Sequence, residues 1–431
     1  MKLLVTALLL VSTPAAAQSI AGCDKIRHIG GDPKYEFFVQ GQGGRLYSTF
    51  TFGRDFTQST EQYASYYQRL NTLLARQGTH LIVAPAAPPA LVNPEYVDWT
   101  DPLLADFDPQ RDRANFRLFI TELQRLGIAA FDYLTVTDRY KATTHRDDFL
   151  FRTDHHWTSL GAQYYAAALA SYLKTTYAAE LAKVPTHKYT IVQQGMTEHR
   201  FEDSYRRFAE IYCKVKFPAE KHPKFVLQAP ADLGLLDDAP VIDWVVDSYG
   251  TPEYGFADQL TAQMGIPVSN DYIRGGGSDL PILQYFLSRP ADQRPPLFLI
   301  WTSLDHFPRR ETFYRQLLPS VYTKDQYAVA ATTKDVKDGT LQLMAPPQVS
   351  LAGAQGFVRV TVPDVTVRQL DFTLSYADQQ TEKVTLQRSD LIENTGVWYL
   401  ELKAGSAPLK SVQVQADLGS SSAQLDLMAV R

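Results

Sequence analysis

Two short clusters carry the residue types of nucleophilic acyl chemistry: Arg152-Thr153-Asp154-His155-His156-Trp157 and Asp247-Ser248-Tyr249-Gly250. A serine hydroxyl is a weak nucleophile near neutral pH and needs an adjacent base, which in turn needs an orienting carboxylate. Asp154 and His156 stand two residues apart, so one turn or extended segment can bring both side chains to one site. The pattern assigns Ser248 as nucleophile, His156 as general base and acid, and Asp154 as orienter; triads occur in unrelated chain orders, so Asp and His may precede Ser. Other readings stay open. An isolated Asp-x-His is also loop or capping chemistry, and Asp-Ser-Tyr-Gly is also an ordinary turn. Adjacent His155 raises a metal reading with Asp154 and His156 as ligands, but no third ligand stands at a recognisable spacing, so no metal is assigned.

These side chains need a scaffold, and the hydrophobic pattern supplies one. The apolar runs at 80–84, 128–131, 241–246, 266–269 and 297–301 read as buried strands. Between them lie amphipathic stretches at 57–76, 115–126, 256–264 and 280–287, with Gly78, Gly127 and Gly265 as stops. Alternating strands and helices predict an α/β sheet with right-handed crossovers, in which ligands gather at the carboxyl ends of the strands. Ser248 follows one such strand, where backbone donors can face an oxyanion. The Asp–His cluster precedes a helix expected over 160–174 and capped by Thr158 or Ser159. Residues 35–50 alternate around a glycine-rich turn and read as a hairpin. After about residue 330 the helical period disappears, and short alternating strands predict a β-sandwich over 331–431.

The 431 residues are long enough for more than one domain at about 150 residues each. Hydrophobic content of 45% and charged content of 21% exclude a disordered chain, and a net charge of −5 without a basic run excludes nucleic acid as the expected partner. Lys2, the apolar run Leu3 to Val11 and Ala15-Ala16-Ala17 form a signal-peptide pattern over 1–17, so export is expected. In an oxidising compartment the two cysteines, Cys23 and Cys213, read as one disulfide.

Several of these segments together resemble the periplasmic, SGNH-hydrolase-like polysaccharide O-acetyltransferases of the AlgX/AlgJ type. Arg152-Thr153-Asp154-His155-His156-Trp157-Thr158 is similar to the family's RTDTHWT block, the most specific match. Asp247-Ser248-Tyr249 resembles its nucleophile block, with Val246 where the family has glycine. Phe38-Val39-Gln40-Gly41 to Tyr47 resembles its opening hairpin, Leu81 to Pro85 its LVVVP strand, and the strand 298–301 with Phe307-Pro308-Arg309-Arg310 its WE-x-PER block.

The resemblance implies a circularly permuted SGNH fold over 18–330, with the Asp–His pair upstream of the serine. A C-terminal carbohydrate-binding β-sandwich aligns the chain with AlgX-type rather than AlgJ-type members. Asp154, His156 and Ser248 are then the triad, and Gly276, Arg310 and Tyr249 are the oxyanion or substrate candidates. The implied activity is O-acetylation of an alginate-like exopolysaccharide through an acetyl-serine, with no cofactor. A membrane-bound O-acyltransferase would relay the acetyl group, alongside other exopolysaccharide biosynthesis proteins. The alternatives are a secreted carbohydrate acetylesterase using the same triad and a non-catalytic polysaccharide-binding protein.

Overall fold

The computed structural model describes residues 38–48, 52, 57–99, 104, 107–200, 205–230, 241–289, 293, 295–302, 304, 310–337, 339–346, 351, 356–403, 405–416 and 422–431. The signal-peptide pattern at 1–17 and the Cys23–Cys213 pairing lie outside the described residues and side chains. The described residues open with an antiparallel hairpin, β1 (Phe38–Gln40) and β2 (Leu46–Ser48). There follow helix α1 (Thr57–Arg76), strand β3 (His80–Val83), α2 (Pro109–Arg125), β4 (Ala129–Ala130), α3 (Tyr133–Thr144) and α4 (Ser159–Thr176). A two-stranded antiparallel ribbon, β5 (Thr190–Glu198) and β6 (Lys221–Gln228), brackets α5 (Tyr205–Cys213). The alternation then resumes with β7 (Ile242–Val246), α6 (Phe256–Met264), β8 (Val268–Tyr272), α7 (Asp279–Ser288), β9 (Phe298–Thr302) and α8 (Glu311–Val321).

Five of these strands form one parallel sheet in the order β4-β3-β9-β7-β8. The apolar runs follow from burial on both faces: every residue of β7 and β9 is buried. Register shows how the faces are covered. Val245 pairs with Trp301, so Trp244 and Trp301 point to opposite sides of the sheet. Trp244 packs on Phe256 of α6, with ring centroids 4.2 Å apart, and lies beside Trp157 just ahead of α4. Trp301 meets Tyr67 of α1 on the other face. The helix-bearing layers therefore sandwich the strand that ends in Ser248.

From Tyr327 onward the chain is β-structure. Strands β10 (Tyr327–Thr333), β11 (Val336–Lys337), β12 (Thr340–Met344), β13 (Gly356–Thr361), β14 (Gln369–Tyr376), β15 (Thr381–Gln387), β16 (Val397–Glu401), β17 (Leu409–Gln415) and β18 (Gln424–Val430) form two antiparallel sheets. Their orders are β10-β18-β13-β16 and β11-β12-β17-β14-β15. Alternate residues such as Leu370, Phe372 and Leu374 turn inward onto Val358, Val360, Trp398 and Leu425 as a second core. This is the β-sandwich expected from the turn spacing.

The two cores meet through charge. The Arg315 guanidinium of α8, only 2% exposed, donates to the Glu401 carbonyl at 2.8 Å and to both Glu382 carboxylate oxygens at 2.6 and 3.1 Å. Arg69 of α1 reaches the buried Glu401 carboxylate at 2.8 Å. A buried guanidinium is tolerable only when its donors are satisfied, and these contacts satisfy them.

Candidate active site

Ser248 opens a single 3₁₀ turn, Ser248–Gly250, directly after β7. Asp247 caps that turn: its Oδ1 accepts from the Tyr249 N–H at 3.1 Å, while Oδ2 accepts from the Leu304 N–H at 3.0 Å beyond β9. The first N–H of such a turn has no partner within it, which leaves the Ser248 N–H at the strand end beside its own hydroxyl. Val246 is fully buried just before this turn. A Cβ at Gly250 would lie 2.4 Å from both Val246 Cγ1 and Tyr272 Cβ. The absent side chain at Gly250 thus leaves room for the valine. The Asn270 amide on β8 fixes the same glycine, donating to its carbonyl at 2.8 Å.

The Asp–His cluster sits on a tight loop between α3 and α4. Leu150 and Trp157 face each other across an antiparallel bridge, and the Phe151 N–H bonds to the His156 carbonyl at 3.0 Å. Trp157 anchors the loop in the core between Tyr133, Tyr165 and Phe256. Distant segments hold the rest. The Glu220 carboxylate accepts from the Arg152 N–H at 2.7 Å, the Thr153 N–H at 2.8 Å and the Thr153 hydroxyl at 2.7 Å. The Leu46 and Tyr205 N–H groups bond to the carbonyls of Arg152 and Thr153, each at 2.8 Å. Thr158 caps α4, as the sequence suggested, and accepts from the Gly161 N–H at 3.1 Å.

Together the loop and the turn align three side chains from two ends of the domain. Asp154 Oδ2 lies 2.5 Å from His156 Nδ1, and His156 Nε2 lies 2.7 Å from Ser248 Oγ. Asp154 and His156 are buried, at 1% and 4% exposure, while Ser248 is only partly covered. Burial drives the His156 pKa down to about 4, against the pull of Asp154 and with help from His155 and His199. Burial alone would raise the Asp154 carboxyl, but the charges and hydrogen bonds of His156 and His155 hold it well below the usual carboxylate range. At neutral pH this leaves an ionised carboxylate beside a neutral imidazole. Its proton belongs on Nδ1, facing the acceptor-only carboxylate, with the Nε2 lone pair facing the serine hydroxyl. Asp154, His155 and His156 each offer a ligand atom within 4.8 Å of the others. Asp154 Oδ1 is already engaged by the His155 N–H at 2.7 Å.

The other sequence candidates fall elsewhere. Tyr249 is fully buried, and its hydroxyl donates to the His155 carbonyl at 2.5 Å; it braces the site instead of facing a substrate. The Gly276 N–H donates to the Ile273 carbonyl at 3.1 Å, which closes a turn and withdraws that donor from an oxyanion role. Arg310 is a surface residue with 71% side-chain exposure, paired with Asp279 at 2.5 Å. One neighbour of the site had no sequence signal: His199, whose Nε2 lies 2.9 Å from Asp154 Oδ2. It stands in a polar stretch without a motif, and only the folding of the β5–β6 ribbon brings it in.

Among the described residues no helix is long and apolar enough to cross a membrane. In solved structures the fold recurs in AlgX of Pseudomonas aeruginosa, with a TM-score of 0.76 at 23% identity, covering 91% of this chain and 94% of that one. It recurs over a shorter span in the O-acetyltransferase domain of Pseudomonas putida AlgJ, with a TM-score of 0.51 at 19% identity, 62% of this chain and 90% of that one. In sequence the chain is 25% identical to the alginate biosynthesis protein AlgX of Pseudomonas aeruginosa, over 86% of this chain and 78% of the relative. It is 27% identical to the probable alginate O-acetylase AlgJ of Azotobacter vinelandii, over 60% of this chain and 63% of the relative. The SGNH hydrolase-like domain of the acetyltransferase AlgX matches residues 38–304, most of the chain, and the protein belongs to that family.

Proposed function

We propose that the protein O-acetylates an extracytoplasmic polysaccharide through an acetyl-serine intermediate, with Ser248, His156 and Asp154 as the catalytic triad. The observation that carries this reading is the His156 imidazole, held between the Asp154 carboxylate at 2.5 Å and the Ser248 hydroxyl at 2.7 Å. In the first step His156 Nε2 takes the Ser248 proton as Oγ bonds to the acetyl carbon of the donor. The leaving group departs with that proton, and the oxyanion formed on the way accepts from the Ser248 N–H. In the second step a sugar hydroxyl gives its proton to His156 and attacks the acetyl-serine. The ester forms on the sugar, and Ser248 regains its proton. Asp154 stays ionised throughout and stabilises the transient imidazolium.

The relatives' names support alginate as the acceptor class, and the signal-peptide pattern at 1–17 supports a reaction in the periplasm. No acetyl-CoA pool is expected there, so a membrane-bound acyltransferase that hands acetyl outward is the proposed donor partner. The C-terminal sandwich is proposed to hold the glycan. The test is incubation with 4-nitrophenyl acetate and unacetylated mannuronate oligomers, followed by mass spectrometry. One added acetyl group per modified oligomer, lost in Ser248→Ala, is the expected result. Free acetate alone would make the protein an esterase, and transfer by Ser248→Ala would overturn the triad.

A further inference from the structure

The Asp154 carboxylate is fully enclosed, with no exposed side-chain surface, and a buried anion persists only where donors replace water. Three residues provide them. Oδ1 takes the His155 N–H at 2.7 Å, with His155 Nδ1 3.0 Å away; Oδ2 takes His156 Nδ1 at 2.5 Å and His199 Nε2 at 2.9 Å. His155 and His156 belong to the same loop as the carboxylate and move with it. His199 does not. It follows β5, and its backbone N–H is tied to the Glu220 carbonyl at 2.8 Å, just ahead of β6. Its ring lies flat on Phe151, with centroids 3.9 Å apart and planes 11° from parallel, and is 5% exposed. His199 is therefore a fixed external strut whose one side-chain bond to the loop ends on the catalytic carboxylate.

We infer that His199 is a positioning residue for the triad, locking the Asp154 carboxylate in the rotamer that presents Oδ2 to His156. The inference rests on the triad reading above. The Ser248 hydroxyl is bonded to His156, so His199 acts on the reaction only through Asp154. Because Asp154 is ionised and can only accept, His199 carries its proton on Nε2. The same oxygen then serves both imidazoles. The His199 bond draws off part of its charge and restrains the carboxylate from rotating toward His155. The titratable groups around this carboxylate and ring are His155 and His156 on the loop, His222 on β6, and Tyr249 and Tyr254 in the segment after β7, with the Glu220 carboxylate engaged by Arg152 and Thr153.

The test compares His199→Phe, which keeps the stack on Phe151 but loses the donor, with His199→Gln, whose amide can restore an N–H. Ser248→Ala serves as control, and 4-nitrophenyl acetate as substrate. Outer partners of a catalytic group are commonly worth about 10- to 100-fold. We expect His199→Phe to lower kcat by that factor with KM nearly unchanged. Its acid limb of kcat/KM should move to higher pH, because a carboxylate with one donor fewer holds the His156 imidazolium more tightly. His199→Gln should recover most of the rate and the wild-type limb. Wild-type kinetics in His199→Phe would overturn the inference. So would equal losses in both variants with a lowered Tm and an unmoved acid limb, which would mark His199 as packing. Hydrolysis by Ser248→Ala at the wild-type rate would instead sink the triad itself, a failure seen in a different protein.

Discussion

The Tyr249 hydroxyl donates to the His155 carbonyl at 2.5 Å, so the residue after the proposed nucleophile is bonded to the residue before the proposed base. This bond crosses from the β7 turn to the Asp–His loop and fixes the spacing between them. Removing the hydroxyl leaves a carbonyl without its donor, at a cost of about 1–3 kcal/mol, and loosens the Ser248–His156 contact. Tyr249→Phe should therefore lower kcat for an acetyl ester by roughly 10- to 100-fold with a small change in Tm. Steady-state kinetics and a thermal melt check both halves of that statement.

The pH profile follows from the neutral base. In the proposed triad His156 must be unprotonated to accept the serine proton, and burial pushes its pKa down to about 4. The kcat/KM of ester cleavage should be flat from neutral pH down to about 5, then fall about tenfold per unit below about 4. An acid limb centred near an ordinary histidine value would contradict the buried, neutral imidazole.

Stability should fall with acid in a higher window. Burial holds His222 down to about 4 as well, and in the unfolded chain both histidines titrate near 6.5. Between those values the unfolded chain binds more protons, so stability is full above about 6.5 and declines as pH falls toward 4. Asp243, raised by burial to about 6, and Asp258 and Asp271, also raised by burial, work in the opposite sense over an overlapping range and oppose part of that decline. Tm should drop steadily from pH 6.5 to 4, and His222→Gln should flatten that slope without abolishing it. A slope unchanged in the variant would remove His222 from the account.

Gly161 sets two magnitudes against each other. In a helix, alanine is better than glycine by about 1 kcal/mol. At this position, however, a Cβ would lie 2.1 Å from the Phe149 carbonyl oxygen, on the strand side of the Asp–His loop. A backbone overlap of that depth outweighs propensity, so Gly161→Ala should destabilise by about 2 kcal/mol or more. Chemical denaturation measures it; a stabilised variant would show that the helix can move aside.

Arg315 joins the two cores, and breaking a buried ion pair by truncating one partner costs about 3–5 kcal/mol. Arg315→Ala should lower stability by that order and make the segment between α8 and β10 sensitive to protease. Arg315→Lys should not rescue it, because one ammonium cannot replace a fork that serves Glu382 and the Glu401 carbonyl at once. Limited proteolysis followed by mass analysis decides the point.

The parallel sheet was legible because its strands are buried on both faces and therefore read as unbroken apolar runs, as at Val241–Val246 and Leu297–Trp301. The helix at 256–264 shows its amphipathic period between two glycines and appears at those bounds. Asp154, His156 and Ser248 were legible as residue types, and folding adds their alignment. The β5–β6 ribbon was not legible. Thr190–Glu198 is mostly half-exposed or exposed and shows neither an apolar run nor clean alternation, so no periodicity marks it as strand. His199 went unseen with it, since its role comes from a contact across 45 residues. Tyr249 and Gly276 misled for a related reason: their polar groups are satisfied by backbone partners that only the fold supplies.

The ribbon and the neighbouring helix hold the Asp–His loop from outside the sheet, through Glu220, His199 and the Tyr205 N–H. Glu220 and His199 flank the strand pair, whose β5 is half-exposed or exposed throughout, whereas the strand leading to Ser248 is buried along its whole length. Local opening of the ribbon is therefore expected at a lower cost than unfolding of the sheet, and under the proposed triad activity depends on the ribbon. In a denaturant titration the enzyme should fall silent before its sheet unfolds, because local opening of the ribbon releases the base while the nucleophile stays in place. A ligand that bridges ribbon and loop would then carry that loss of activity to higher denaturant.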